Sequence, residues 1–439
     1  MTADITTLKD LSVVGNEPSG SVVEKLNLCI TSAGSDRLRK NLSTPLPSIE
    51  KINLMQQTIR AVENVMDKWP AIITNGTIMV IGKFFESQLD PVPEKINPLA
   101  AYFYKTLHKP DFSLASYSLT HCLDFTEGLT EINSLFDRSE KPQPLKETLA
   151  RISYLLENTA LTDAIKKRRS GRLTSAGQLK LVRFIMYEFR SKLKELLELH
   201  AQLDAWHGMA KAVRKFGLSF PEFTQTSEPV IEARGLYHLL LETPAPYDIS
   251  LNSTKHFIFL TGANMAGKST FIKSIGAAVF LAHTGMAVPG KEMRLSFFEG
   301  IISNINKADD ISKGESYFFN EVQRIKSTIE KIKSGKNWLV LIDEIFKGTN
   351  IQDAMKCSLT VIEGLARVRN SLFILSTHLH ELSDSLSGIP GISFSYFETE
   401  VKNEKLFFSY RLRDGVSRDR LGYLILEKEG VVKLLQEIS

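Results

Sequence analysis

The sequence predicts two unlike parts, an α-helical domain over residues 1–225 and an α/β domain over residues 226–439 built around a phosphate loop. Three observations lead there. The first half is rich in helix formers with apolar residues at helical spacing. Short apolar runs typical of β-strands begin only after about position 225. One of those runs leads into a glycine-bounded loop and then a helix. The alternation of strand and helix in the second half implies a mostly parallel sheet with helices on its faces.

In the first half, SIEKINLMQQTIRAVENVMDKW (Ser48–Trp69) opens on a Ser cap and carries Ile52, Val62, Val65 and Met66 on one stripe. A second apolar stripe runs from about Ala176 to Val213, with neither Gly nor Pro between Gly177 and Gly208, and reads as one extended arm or lever. Just before it, KKRRSGR places five positive charges, Lys166, Lys167, Arg168, Arg169 and Arg172, in seven residues. This is read either as a tip that grips nucleic-acid phosphates, sequence-independent and salt-sensitive, or as a solvated basic turn. In the second half the strands are HFIFLTG, NWLVLIDE, NSLFILSTH and KLFFSYRL.

Composition limits the alternatives. The chain has 439 residues, 43% hydrophobic and 24% charged, an ordinary globular balance. A net charge of +4 permits a nucleic-acid partner without requiring one. Cys29, Cys122 and Cys357 are scattered and show no metal-ligand spacing, so neither a zinc site nor a disulfide framework is expected. The N-terminus MTADITTLKDLS is polar and is not a signal peptide. The most apolar segment, SIGAAVFLAHTGMAV, carries His283 and is too short to span a bilayer. A cytoplasmic protein with no membrane partner is expected.

The loop Gly262-Ala263-Asn264-Met265-Ala266-Gly267-Lys268-Ser269-Thr270 fits the pattern GxxxxGK followed by Ser or Thr. Its glycines let backbone N–H groups curl around phosphates, Lys268 reaches the β- and γ-phosphates, and Ser269 is a ligand for Mg²⁺. LVLIDE ends a second apolar strand in Asp343 and Glu344. Asp343 is read as holding Mg²⁺, and Glu344 as orienting or deprotonating the attacking water. SLFILSTHLHEL ends a third strand in Thr377 and His378, with His378 read as a sensor of the γ-phosphate. These strand ends together predict an ATP-hydrolysing site with ATP and Mg²⁺ as cofactors.

TGANMAGKST resembles the TGPNMGGKST loop of the MutS mismatch-repair ATPases. AVPGKEMRLSFFEGIISNINKADDISKGESYFFNEV (Ala287–Val322) is similar to the MutS stretch containing YVPA, ADD and GxSTFxxE. LIDEIFKGTN resembles LIDELGRGTS. STHLHEL resembles ATHYHEL, and the sensor reading of His378 rests on that likeness together with its spacing. DGVSRDRLGYLILEKEGV (Asp414–Val432) resembles DGxxxxSYGxxVAxxxG, and TSAGSDRLRKNLSTPLPSIEKI (Thr31–Ile52) more loosely resembles the start of the MutS core domain. The resemblance is strong from about Pro246 and loose before it.

The resemblance implies a helical core/lever domain with a short clamp-like tip, followed by a P-loop ATPase domain of the ABC type. It implies a homodimer in which Ser316, with Gly314 and Glu321 around it, approaches the partner's γ-phosphate. Without the family, GESYFFNE reads equally as a helix start. The resemblance also places Tyr410 where MutS proteins have a base-stacking histidine, with Tyr247 on the opposite face. Double-stranded DNA, mismatched or branched, is the implied partner, in mismatch repair or recombination control.

The sequence departs from the family in several places. The mismatch-reading and connector domains have no counterpart, so direct mismatch readout is not expected. No nicking-nuclease extension is expected after Ser439. Ala263 and Ala266 replace Pro and Gly, and Ala266 must take a negative φ or be strained. Phe346 and Ala354 replace small residues, and Tyr317 a threonine. None of these removes a phosphate ligand. The competing reading is a nucleotide-switched dimeric module that binds a protein partner rather than DNA. A transporter subunit or a chromosome ATPase with coiled-coil arms is disfavoured, because LSGGQ and long arms are both missing.

Overall fold

The structure, a computed structural model, describes all residues except 16–19, 88–89, 91, 138–139, 158, 306–316, 403–404, 418–426, 428–429 and 439. It divides into two compact units that do not follow chain order. One comprises Leu26–Thr44 and Asn53–Phe216, and the other Met1–Lys25, Pro45–Ile52 and Gly217–Ser439. The segments Met1–Lys25 and Pro45–Ile52, read from composition as part of the helical half, therefore fold with the α/β unit. The chain passes between the units four times rather than through a single linker near 225.

The helices before the first strand are α1 (Ile5–Asp10), α2 (Val22–Leu26), α3 (Ser32–Ser43), α4 (Ile49–Val65), α5 (Asn75–Glu86), α6 (Pro98–Leu107), α7 (Lys109–Ser134), α8 (Gln143–Leu156), α9 (Thr159–Arg169), α10 (Ser175–Arg183) and α11 (Arg190–Phe216). As read from the sequence, Ser48 caps α4, its Oγ accepting from the Lys51 N–H at 3.4 Å. The long stripe after Ala176 is not one continuous α-helix. A π-helical turn, Phe184–Glu188, separates α10 from α11, with the Phe189 N–H donating five residues back to the Phe184 carbonyl at 2.9 Å. One extra residue in a turn needs neither Gly nor Pro, so nothing in the residue types announces it.

The helical unit is tied together around Asp204 of α11, which is buried. Its carboxylate accepts from the Ile30 N–H (2.9 Å), the Thr31 N–H (2.8 Å) and the Thr31 hydroxyl (2.6 Å). Thr31 in turn caps α3 by accepting from the Gly34 N–H at 3.0 Å. The approach is close because Gly208 of α11 lies against Cys29, where a Cβ would stand 2.7 Å from Sγ. Three backbone and hydroxyl donors satisfy a carboxylate that would be costly to bury alone.

The α/β unit holds two sheets. The strands are β1 (Glu222–Thr224), β2 (Ile231–Leu236), β3 (Tyr247–Leu251), β4 (Phe257–Thr261), β5 (Glu292–Ser296), β6 (Gly300–Asn304), β7 (Trp338–Asp343), β8 (Ser371–Ser376), β9 (Ile392–Lys402) and β10 (Lys405–Asp414). The helices among them are α12 (Lys268–His283), α13 (Tyr317–Ile332), α14 (Ile351–Leu365), α15 (Leu382–Leu386) and α16 (Val431–Ile438). The larger sheet has the order β10-β9-β4-β8-β7-β6. It is parallel except for the β9–β10 hairpin. The three strands read as central, β4, β8 and β7, are adjacent and almost wholly buried. Continuous apolar runs are what a parallel sheet covered on both faces requires. The smaller sheet, β1-β5-β2-β3, carries no sequence signal as strong, and the sequence reading did not resolve it.

Phe257, Phe259, Val340, Phe373 and Leu375 form the centre of the core. The rings of Phe257 and Phe373, on neighbouring strands, stack at 5.5 Å. Burying each such side chain stabilises the unit by about 1.5–3 kcal/mol. The N-terminal segment extends the sheet edge, with the Thr2 N–H donating to the Glu299 carbonyl at 2.6 Å and the Ile301 N–H to the Thr2 carbonyl at 3.0 Å. Among the described residues no helix is long and apolar enough to cross a membrane.

Candidate functional site

β4 delivers the chain into the loop at the C-terminal edge of the sheet, and α12 carries it away. Gly262 (φ 134°), Met265 (φ 68°) and Gly267 (φ 105°) take the left-handed backbone that the turn needs. Ala266 is not among the positive-φ residues, so the Gly-to-Ala departure meets no strain there. Met265 bears it instead, with its side chain 76% exposed. Gly267 precedes α12, whose first N–H groups point into the loop, an arrangement suited to an anion.

Lys268 is buried, and its ammonium donates to the carbonyls of Gly262 (2.7 Å) and Ala263 (3.0 Å). Burial, with help from the Lys347 charge and against the pull of Asp343, lowers its pKa to about 8. Ser269 Oγ donates to one carboxylate oxygen of Asp343, and Ser376 Oγ donates to the other. Asp343 and Ser376 are direct register partners on β7 and β8, which is why a serine at the end of the middle strand reaches the acid.

Glu344 follows at φ 60°, its N–H donating to the Ser376 carbonyl at 2.9 Å. Its carboxylate accepts from His378 Nε2 at 2.5 Å and pairs with the Lys347 ammonium. Burial, reinforced by the Lys268 and Lys347 charges, lowers the His378 pKa to about 4, so at neutral pH the contact is a neutral N–H donating to a carboxylate. Met265, Glu344, Phe346 and Tyr410 are four of the five non-glycine residues at positive φ among the described residues. Such backbone costs about 1–3 kcal/mol per residue and concentrates where side chains must be aimed.

Phe346 (φ 57°) is buried, with its ring 5.5 Å from that of Phe318 on α13, so the bulky departure fills a contact between helix and loop. Glu321, also on α13, accepts from the Gly348 N–H at 3.5 Å. Gly314 and Ser316 lie outside the described residues.

Beside the loop lies a cavity of about 380 Å³ bounded by His238, Leu241, Tyr247, Met265, Phe397 and Tyr410 among others. Tyr410 stands at a register shift between β9 and β10, and its ring comes within 3.3 Å of the place a Gly267 Cβ would occupy. A bulge there re-aims the side chain. The Tyr247 ring packs on Phe271 at 4.7 Å and its hydroxyl donates to the Phe271 carbonyl at 3.4 Å. The structure thus brings Lys268, Ser269, Asp343, Glu344 and His378 to one edge and sets Tyr410 beside the loop. The sequence reading missed Lys347, Ser376 and His238. Lys347 had a signal, a basic residue three positions after an acid in a tight turn. The other two are visible only through register and burial.

The basic turn closes α9 in the helical unit, with Gly171 at φ 68°. Arg168 donates to Asp124 and Glu127, both at 2.6 Å, and to the Thr120 carbonyl at 3.2 Å, all on α7. Arg169 pairs with Glu127 and lies 3.9 Å from Glu131. Two of the five charges read as phosphate contacts are therefore engaged with carboxylates of α7, whereas Lys166, Lys167 and Arg172 are exposed.

Fold and site define an α/β domain with a phosphate loop at the ends of its central strands. Comparison with known families gives one match: residues 258–436 match the model of MutS domain V. That match falls on the part of the chain whose motifs carry the resemblance. The DNA mismatch repair protein MutS of Pseudothermotoga lettingae is 30% identical over 252 residues, 56% of this chain and 30% of that protein. That of Petrotoga mobilis is 26% identical over 400 residues, 86% of this chain and 47% of that protein. That of Bacillus subtilis is 28% identical over 241 residues, 54% and 28% of the two chains. This chain spans less than half the length of these relatives.

Proposed function

We propose that this chain is a MutS-like, Mg²⁺-dependent ATPase that works on DNA as a homodimer, in mismatch repair or recombination control. The observation that carries this reading is the meeting of Lys268, the Ser269–Asp343 pair and the Glu344–His378 pair at the ends of β4, β7 and β8. Its residues fit the cofactors: a loop with three left-handed positions and a helix N-terminus suits phosphates, and two oxygen ligands linked to each other suit Mg²⁺.

In this reading the loop N–H groups and Lys268 hold the phosphates, the ammonium exchanging carbonyl partners for phosphate oxygens. Ser269 and Asp343 hold the metal, and Ser376 orients Asp343. Bound there, Mg²⁺ would supply charge neutralisation on the phosphates. Glu344 takes a proton from water, its carboxylate fixed by Lys347 and by the neutral His378 N–H. His378 reports whether the γ-phosphate is present, and Tyr410 covers the base. Ser316 completes the partner's site, so closure needs both subunits. The P-loop domain is of the ABC type, and the helical unit, Leu26–Thr44 with Asn53–Phe216, acts as core and lever with the basic turn as tip. The four chain crossings between units support a mechanical coupling of ATPase and lever. Three free cysteines support a reducing, cytoplasmic setting.

The test is ATP hydrolysis with and without homoduplex, mismatched and junction DNA. Lys268→Ala is expected to abolish turnover, and Glu344→Gln with ATP and Mg²⁺ is expected to run as a dimer in size-exclusion chromatography with light scattering. Normal hydrolysis by Lys268→Ala, or a monomer under trapping conditions, defeats the reading.

A second reading, a nucleotide-switched module that binds a protein, draws support from two observations. Arg168 and Arg169 are committed to α7, and α6 exposes Leu99, Tyr102, Phe103 and Leu107. Reversing the charges of Lys166, Lys167 and Arg172 without changing DNA affinity would favour it.

A further inference from the structure

The basic turn is fastened to α7 on both sides, and the stretch of α7 between its two footholds carries an exposed aromatic ring. On one side Arg168 donates to the Thr120 carbonyl at 3.2 Å and to the Asp124 carboxylate at 2.6 Å. On the other side, where the chain has entered α10, Gln178 accepts from the Ser116 hydroxyl at 3.3 Å. Tyr117 follows Ser116 directly and precedes Thr120 by about one turn of α7, so its Cα lies about 4–5 Å from the Cα of each foothold. Positions 117, 120 and 124 are spaced i, i+3 and i+7, which puts Tyr117 on the same stripe of the helix as the groups that hold Arg168.

Tyr117 is 55% exposed, yet its ring is not loose. It meets the His121 ring, one turn further along α7, at 4.7 Å and 75°, an edge contact that braces it. Lys166, Lys167 and Arg172 are exposed on the turn itself. The Arg172 N–H donates to the Lys167 carbonyl at 2.9 Å, and Gly171 at φ 68° closes the turn between them. Asp124 and Glu127, on the same face of α7, are paired with Arg168 and Arg169 and so do not cancel the exposed cations. Cations gathered around one exposed ring complement an anionic strand. Surfaces that bind single strands use this combination, with basic side chains along the phosphates and an aromatic ring under a base. The bases of an intact duplex are stacked inside it, so a surface ring finds a stacking partner only where a base is unpaired.

We propose that Tyr117 and the basic turn form a binding site for an unpaired nucleotide of DNA, in which Lys166, Lys167 and Arg172 hold the flanking phosphates and the Tyr117 ring stacks on the base. This rests on the DNA reading above and narrows its substrate class to DNA that carries unpaired bases, such as a gap or a bulge. Every base has a π-face, so the site discriminates by pairing state and not by sequence.

The test is fluorescence anisotropy on a labelled homoduplex, the same duplex with a short single-stranded gap, and a single strand. The proteins are the wild type, Tyr117→Ala and Tyr117→Phe. The wild type is expected to prefer the gapped duplex to the homoduplex. Tyr117→Ala should bind the gapped and single-stranded DNA about five- to 150-fold more weakly than the wild type, the range for one stacked base. Its affinity for the homoduplex should stay within about twofold, and its salt slope should not change, because no phosphate contact is lost. Tyr117→Phe keeps the ring and should bind as the wild type does. A 2-aminopurine placed in the gap reads stacking directly: its fluorescence should fall on binding the wild type and not on binding Tyr117→Ala.

Equal affinity of the wild type for homoduplex and gapped DNA, with no change in the 2-aminopurine signal, overturns the proposal whether or not the variants fold. So does equal weakening of homoduplex and gapped DNA in Tyr117→Ala, which marks a structural role for the ring. If the wild type binds no DNA at low salt, the DNA reading fails as well. If it binds DNA and loses nothing with the Tyr117 ring, only this inference fails.

Discussion

The basic turn offers a sharp separation of grip from scaffold. Lys166, Lys167 and Arg172 are exposed, whereas Arg168 spans Asp124 and Glu127 at 2.6 Å each, its side chain 23% exposed and that of Glu127 only 10%. If the three exposed cations contact DNA phosphates, each contributes about 0.9 to the slope of log affinity against log salt, about 2.7 together. Raising salt from about 50 to 200 mM would then cost the wild type about 40-fold more affinity than it costs the triple alanine variant. Fluorescence anisotropy on a labelled duplex at several salt concentrations reads this directly. Arg168→Ala should do the opposite. It leaves Glu127 nearly buried and short of one of its two arginine partners, so urea unfolding of the helical unit should show a loss of about 2 kcal/mol, reduced from the value for a fully buried pair by the solvent that reaches Arg168. The salt slope should stay within about 1 of the wild-type value. A triple variant with an unchanged slope, or an Arg168→Ala protein of normal stability and weakened DNA binding, would refute the division of labour.

Three further outcomes follow from individual contacts. Ser376→Ala removes one of the two hydroxyls on Asp343 and should raise the Mg²⁺ concentration for half-maximal hydrolysis about tenfold, with little change in melting temperature. Gly276→Ala puts a Cβ 2.6 Å from Leu341 on β7 and against Leu11, so α12 must shift; a loss of about 1–3 kcal/mol in thermal unfolding and weaker nucleotide binding should appear together. Burial lowers the pKa values of His200, His207 and His238 to about 4 and that of His283 to about 3. The unfolded imidazoles take up protons near their ordinary pKa of about 6.5 while the folded ones do not, so stability is full above that pH and falls as pH drops towards 4, by up to about 1.4 kcal/mol per unit for each histidine. Acid titration followed by circular dichroism, with constant stability from pH 7 to 4.5, would contradict this.

How much was legible depends on the range of the interactions involved. Gly262, Gly267, Lys268 and Ser269 announce themselves because a phosphate loop is local, with every part within a few residues of the others. The Asp343–Glu344 pair and His378 were readable because each ends an apolar run long enough to be a buried strand. The π turn at Phe184–Glu188 was not readable, since it needs no special residue type. The sheet β1-β5-β2-β3 was missed because its strands are short and only partly alternating, and β5 lies far along the chain from its partners.

By itself the sequence determined the two kinds of architecture, the loop, the acidic strand end and the histidine beside it, because periodicity and short motifs are properties of neighbouring residues. Tertiary structure alone decided which of five clustered cations hold carboxylates and that Ser376 reaches Asp343. It also decided that Met265 rather than Ala266 takes the left-handed turn. The physical reason is common to all of these. Burial and pairing depend on what other segments bring within about 3 Å of an atom, and no local pattern encodes that.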